Sequence, residues 1–366
     1  MPRILGLLTK FDWLLMGAVF ILIAFGMAAI YSVALSTKSG DLSFIDKQVI
    51  AAAIGVVILV ALALSNYRQF RNWTLPLYIF AVLLLIAVLI FGTEINGTKG
   101  WFQLAGFSFQ PVEFVKIVLV LVFAKYFSEK ARRQFGWREI LGSGFLVSIP
   151  VALVIQQPDY GSAAALLGLW AVLLFFAGIK WKHALVVGSV AAVAIMIAWF
   201  GLFQDYQRER VLTFFDPSRD ALGRGYNVTQ AIIAVGSGQL FGKGLGFGSQ
   251  SQLKFLPESQ TDFIFAVIAE ELGFVGILFI LAAFGLLFYR LFKLVRRSHD
   301  DFTSYLLLGI TAVLAIQVIV NIGMNLGLLP VTGLGLPLVS YGGSSLIMGL
   351  ILIGLAESVA VRTRTS

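Results

Sequence analysis

Cysteine is absent from the 366 residues, which excludes a disulfide framework, a thiolate nucleophile and a thiolate metal site. Histidine is nearly absent. The two present, His183 and His299, fall in segments that read as inner loops, where a solvated or interfacial role stands ahead of catalysis. Charge is scarce as well, at 13% of residues, against about a quarter in a soluble globule. Apolar residues take its place: 59% of the chain is hydrophobic and the mean hydropathy is +0.91.

Those residues are gathered in runs at 13–35, 49–64, 75–91, 112–127, 145–155, 163–179, 184–203, 263–291, 305–329 and 346–361. At about 1.5 Å of helical rise per residue, each is a bilayer thickness or a little less. The runs are continuous and lack the alternation of lipid-facing and lumen-facing residues that a membrane barrel strand requires. The expected fold class is therefore all-α: a polytopic integral membrane protein of about ten transmembrane helices, one membrane domain over 1–366. No small-x-small cleavage site marks the end of the first run, at Tyr31-Ser32-Val33-Ala34-Leu35, which reads as an uncleaved span.

Short loops that carry Lys and Arg stay in the cytoplasm. With the amino terminus inside, the inner segments hold Arg3, Lys10, Arg68, Arg71, the cations of 125–138, Lys180, Lys182, those of 290–297, Arg362 and Arg364. The opposite orientation would leave nearly all of these outside. Both termini are thus expected in the cytoplasm, at the cytoplasmic (inner) membrane. The net charge of +8 follows from topology and attraction to anionic membrane lipid, with no call for nucleic acid.

Three outer segments are more than short connections. The first, 93–111, reads TEINGTKGWFQLAGFSFQP; the second, 204–261, is a large extracytoplasmic loop between the seventh and eighth spans; the third, 329–345, is rich in Gly, Pro and Ser. Within the second, Asn227 to Gly236 reads as a short amphipathic helix, and the glycine-rich run from Gly236 to Gly248 would let backbone N–H groups approach an anion. A nucleotide-binding P-loop is excluded there, because Ser237 and Gly244 stand where the pattern needs Gly and Ser or Thr.

Ionisable groups in or beside a span are functional candidates, since charge is costly in hydrocarbon. Glu113 and Lys116, three residues apart on the fourth span, share a face; the alternative is a structural ion pair. Asp159 and Asp262 stand just before the sixth and eighth spans, where helix capping is the bland alternative for both. Glu270 and Glu271 lie about two turns below Asp262 and read as structural acids needing partners. An acid at a rim, cations above it and a glycine-rich loop suit a lipid-tailed substrate with a negative head, such as a pyrophosphate.

The motifs then read as a family signature. They are Asn96-Gly97 with Lys99 and Trp101, Phe109-Gln-Pro-Val-Glu113-Phe-Val-Lys116, Gln157-Pro-Asp-Tyr-Gly161, Asp216-Pro, and Gly236-Ser-Gly-Gln-Leu-Phe-Gly-Lys-Gly. They continue with Phe255-Leu-Pro-Glu-Ser-Gln-Thr-Asp262-Phe-Ile-Phe-Ala, Asn321-Ile-Gly-Met-Asn-Leu-Gly-Leu-Leu-Pro and Pro337-Leu-Val-Ser-Tyr-Gly-Gly-Ser-Ser. On these stretches the chain resembles the SEDS family (shape, elongation, division and sporulation), RodA-like rather than FtsW-like.

The resemblance implies a peptidoglycan glycosyltransferase that polymerises lipid II, a disaccharide-pentapeptide on undecaprenyl pyrophosphate. By motif match Asp262 is the expected general base or the group orienting the acceptor hydroxyl. Arg210, Lys116, Lys99 and Lys243 are candidates for neutralising pyrophosphate, Glu113 with Lys116 for lining the head-group cavity, and Asp159, Glu258, Ser340 and Tyr341 for further substrate contacts. The implied partner is a class B penicillin-binding protein transpeptidase. No cofactor is implied, and a divalent-cation requirement is left open. Two other readings of the same bundle are a lipid II flippase and a non-catalytic scaffold for cell-wall synthases.

Overall fold

The apolar runs fold as helices. The structure, a computed structural model, describes residues 10–35, 43–95, 97–104, 107–130, 135–202, 205–220 and 223–363. The first three helices are α1 (Trp13–Leu35), α2 (Ser43–Leu64) and α3 (Phe70–Phe91). After a small sheet come α4 (Pro111–Lys130), α5 (Trp137–Gln156), α6 (Tyr160–Phe176) and α7 (Trp181–Ile197). Helices α8 (Asp205–Phe215) and α9 (Arg224–Ser237) occupy the long loop, followed by α10 (Ile264–Arg297), α11 (Asp301–Asn325) and α12 (Gly343–Thr363). Among the described residues eight helices are long and apolar enough to cross a membrane; α6 is apolar but shorter, and α4 carries both acids and lysines.

The opposite ends of the bundle are marked by polar ties between α1 and α10, which run antiparallel. Asp12 accepts from the Arg290 guanidinium at one end, and Ser32 Oγ donates to Glu271 at 2.5 Å at the other. From Asp12 to Ser32 is 32 − 12 = 20 residues, about 30 Å of helix and the depth of a hydrocarbon core. Buried ionic and hydrogen-bonded groups therefore tie the two helices at points about one hydrocarbon thickness apart. Helix α7 differs from the rest in burying none of its apolar window against the chain.

Two of the segments between the apolar runs depart from a plain loop. Three strands, β1 (Thr93–Ile95), β2 (Thr98–Leu104) and β3 (Phe107–Phe109), form an antiparallel sheet, with Glu94 opposite Lys99 and Phe102 opposite Phe109. This sheet is the exception to the all-α expectation. Short strands between long apolar runs leave little periodicity to read.

The second departure is in the glycine-rich run. The expected helix 227–236 lies within α9, but the glycines beyond it lie against a break in α10, where Gly273 has φ 66 and ψ −164. At that break Phe274 and Val275 N–H donate to Gln239 and Leu240 carbonyls, while Lys243 and Gly244 N–H donate to the carbonyls of Glu270 and Glu271. A Cβ on Gly238 would lie 1.8 Å from the Ala269 carbonyl, and Gly242 has φ +78 with the Glu271 carbonyl 2.1 Å from its Cβ position. These glycines serve close backbone contact with a helix, and the two N–H groups are spent there instead of on an anion.

Candidate functional site

Asp262 stands on the turn that leads into α10. Its shape comes from Glu258, a non-glycine residue at φ 50, whose carbonyl accepts the N–H groups of Thr261, Asp262 and Phe263 at 3.1–3.2 Å. Thr261 Oγ1 also donates to the Glu258 carboxylate at 3.0 Å. A segment beyond α11 holds the other side. Ser340 Oγ donates to the Thr261 carbonyl at 2.6 Å and accepts from Leu336 N at 2.7 Å, while Tyr341 N donates to the Gln260 carbonyl at 2.8 Å. Gln48 of α2 ties this segment down by donating to Ser340 O and accepting from Gly342 N. Ser340 and Tyr341 thus fix the Asp262 turn through its backbone.

Burial pushes the Asp262 carboxyl up to about 7, and the like charges of Glu258 and Asp159 push the same way. Asp159 caps α6, accepting from Ser162 N at 2.9 Å, so the capping reading holds. It also accepts from Gln110 Nε2 at 3.3 Å, and burial raises its pKa, with Lys116 pulling it down and Glu113 up. Capping and membership of the acidic group therefore coexist in one side chain.

The Glu113–Lys116 spacing becomes an ion pair at 2.7 Å, with Lys116 only 2% exposed. Lys99 is half-buried on β2 and donates to the Ile90 carbonyl at 3.4 Å. Lys243 has another occupation: it meets Glu270 at 2.8 Å, beside Ser249 Oγ and the N–H groups of Gln250 and Ser251, which also serve that acid. Glu271 accepts from Ser32, Ser251 and Gln252, so both acids are structural, as their adjacency suggests. Arg210 lies on α8, and its side chain falls outside the described residues. Among the described residues no three acidic or histidine side chains are grouped as metal ligands. A cavity of about 410 Å3 adjoins Glu258, walled by Ile30, Val33, Phe44 and Leu256 with Lys254 at its side.

Asn321 and Asn325, both fully buried on α11, were not singled out as site residues by the sequence. Each donates its side-chain amide to the main-chain carbonyl of Asp262, at 2.9 and 3.0 Å. Two asparagines four apart in an apolar helix were the available signal, since a buried amide needs partners.

The chain as a whole has counterparts among known proteins. The model of the cell cycle protein family of FtsW, RodA and SpoVE matches residues 12–365. The chain belongs to that family. It is 41% identical over 329 residues to the peptidoglycan glycosyltransferase MrdB of Escherichia coli, spanning 88% of this chain and 87% of that protein. Against a probable peptidoglycan glycosyltransferase FtsW of Trichlorobacter lovleyi the identity is 35%, over 96% and 94% of the two chains. The balance is RodA-like. A solved chain from work on the coordination of polymerization and crosslinking by a peptidoglycan synthase complex superposes with a TM-score of 0.82 at 34% identity, over 97% of this chain and 99% of that one.

Proposed function

We infer that the chain is a peptidoglycan glycosyltransferase of cell elongation, polymerising lipid II at the outer face of the cytoplasmic membrane. What supports the assignment of Asp262 is its place on the turn into α10, pinned by Glu258, Ser340 and Tyr341 and walled by Gly333, where burial and the like charges of Glu258 and Asp159 raise its carboxyl. A general base is most effective when its pKa lies near the working pH. Ionised Asp262 takes the proton of the acceptor's sugar 4-hydroxyl as that oxygen attacks the donor's anomeric carbon. The carbon–oxygen bond to the lipid pyrophosphate breaks with inversion.

Leaving-group charge is met by cations on the same rim, Arg210 with Lys116 and Lys99. Lys116 acts from within its pair, where Glu113 fixes its direction. Lys243 supports the site through the loop it anchors on Glu270. Glu258, Asp159, Ser340 and Tyr341 shape the turn and its field.

Ten helices, α1 to α7 and α10 to α12, make the spans of a single membrane domain, with α8, α9 and the glycine-rich segment in the large extracytoplasmic loop of 204–261. Both termini lie in the cytoplasm, on the side of the basic loops. The partner is a class B penicillin-binding protein transpeptidase, in keeping with the crosslinking function of the synthase complex that the fold resembles.

The test is polymerisation of lipid II by purified protein. Asp262→Asn is expected to make no glycan while still binding the lipid. Normal glycan synthesis by this variant would refute the assignment of the base, and lipid inversion in liposomes without any polymer from the parent would favour a flippase.

A further inference from the structure

In an uninterrupted helix the N–H of Ala266 would donate to the carbonyl of Asp262, four residues earlier. Here Ala266 N donates to Asn325 Oδ1 at 3.1 Å, and Asn325 Nδ2 donates to Asp262 O at 3.0 Å. One carboxamide is inserted into the first turn of α10, its two ends replacing the missing backbone bond. Asn321 Nδ2 donates to the same carbonyl at 2.9 Å and to the Leu334 carbonyl at 2.8 Å, and Asn325 Nδ2 also donates to Asn321 O. The start of α10, the end of α11 and the segment at Leu334 are thereby pinned on a single carbonyl. The neighbour of Leu334, Gly333, has its Cβ position 3.9 Å from Asp262 Oδ2, so this pinned segment also walls the carboxylate.

On the reading that Asp262 is the base, we propose that Asn321 and Asn325 form an amide clamp that positions its carboxylate. Neither asparagine touches the carboxylate or has any exposure to substrate; both act through the Asp262 backbone. Packing alone would be met by leucine, which fills a similar volume without a buried amide. What leucine cannot do is hold the 262–266 step open. With the clamp gone, Ala266 N–H and Asp262 O are free to pair, the first turn closes, and the side chain of residue 262 swings with it. A displacement of about 1 Å at a catalytic group costs about 100-fold in rate.

The groups facing Asp262 among the described residues are Glu258 on its own turn and Asp159 at the head of α6, with Glu113 and Lys116 of α4 beyond it. Helix α11 presents only the two amides. Moving the carboxylate relative to Glu258 and Asp159 must therefore move its titration.

The experiment compares full-length parent, Asn325→Leu, Asn321→Leu and the milder Asn325→Ser, each normalised to folded protein by size-exclusion chromatography. Lipid II polymerisation is followed against substrate concentration and pH. The leucine variants are expected to lose about 100-fold in kcat with KM near the parent's and a displaced acid-limb midpoint. Asn325→Ser, with a hydroxyl for one of the partners, is expected to fall between and carries the test where leucine blocks folding. A purely structural pair would lower yield and thermal midpoint but leave kcat per folded molecule and the pH midpoint unchanged, which overturns the clamp. If Asp262→Asn polymerises at the parental rate, the assignment of the base fails; if it is dead while the asparagine variants keep parental kcat and midpoint, only the clamp fails.

Discussion

Asp262→Asn should make the protein inactive and more stable, with a gain that depends on pH. The carboxyl is raised from 3.8 to about 7, chiefly by burial. Between those values the folded state holds a proton that the unfolded state releases, so folding stability falls as pH rises. The loss runs at about 1.4 kcal/mol per unit, up to about 4 kcal/mol across the window. The amide carries no such titration. Parent and variant should therefore melt alike near pH 4, diverge up to about pH 7 in the variant's favour, and stay a constant interval apart above it. The assay is the thermal unfolding midpoint in detergent at a series of pH values, read as a difference because unfolding of a polytopic chain is not two-state. A difference flat in pH, or one favouring the parent at pH 8, would refute the reasoning about burial.

Glu258→Gln removes a like charge that raises Asp262, so the acid limb of the polymerisation profile should move to lower pH; an unmoved limb in a pH–rate series would show that Glu258 does not act on it. Glu113→Ala leaves Lys116 buried without its partner and should destabilise by about 3–5 kcal/mol, while Glu113→Ala with Lys116→Met should recover much of that in thermal midpoint. Gly242→Ala adds a Cβ against the Glu271 carbonyl at a positive φ and should cost at least about 1–2 kcal/mol. Gly236→Ala, within α9 and with nothing within 4 Å of the new atom, should melt at or slightly above the parent.

Hydropathy gave the helices because a span must satisfy its own backbone in lipid, which forces long continuous apolar runs. The Glu113–Lys116 pair was legible for a local reason too, since a spacing of three residues determines which side chains meet on a helix. Glu270 and Glu271 were legible as structural acids in need of partners, but the identity of those partners was not: Lys243 and Ser32 reach them from 27 and 239 residues away. The sheet of β1, β2 and β3 was missed because strands of three and seven residues carry no usable periodicity. In sequence the glycine-rich run suggests anion binding, because close backbone approach looks the same whether the visitor is a phosphate or a broken helix.

The two breaks in α10 bear on how an acid can be kept partly out of water. The first turn of a helix frays readily, since its N–H groups lack intrahelical partners, and fraying here would hydrate Asp262 and return its pKa to the ordinary carboxylate range. Four groups oppose that escape: the Glu258 carbonyl accepting three N–H groups, Ser340 on the Thr261 carbonyl, and the two amides of α11 on Asp262 itself. At the far end, the glycine-rich segment satisfies the carbonyls of Glu270 and Glu271 that the Gly273 break leaves open. The stretch from Ile264 to Glu271, buried at every residue, is thus held at both ends by other parts of the chain. A helix free to slide or unwind would relieve the burial of its acid. One pinned in this way must keep it, and a carboxyl near neutrality is the consequence.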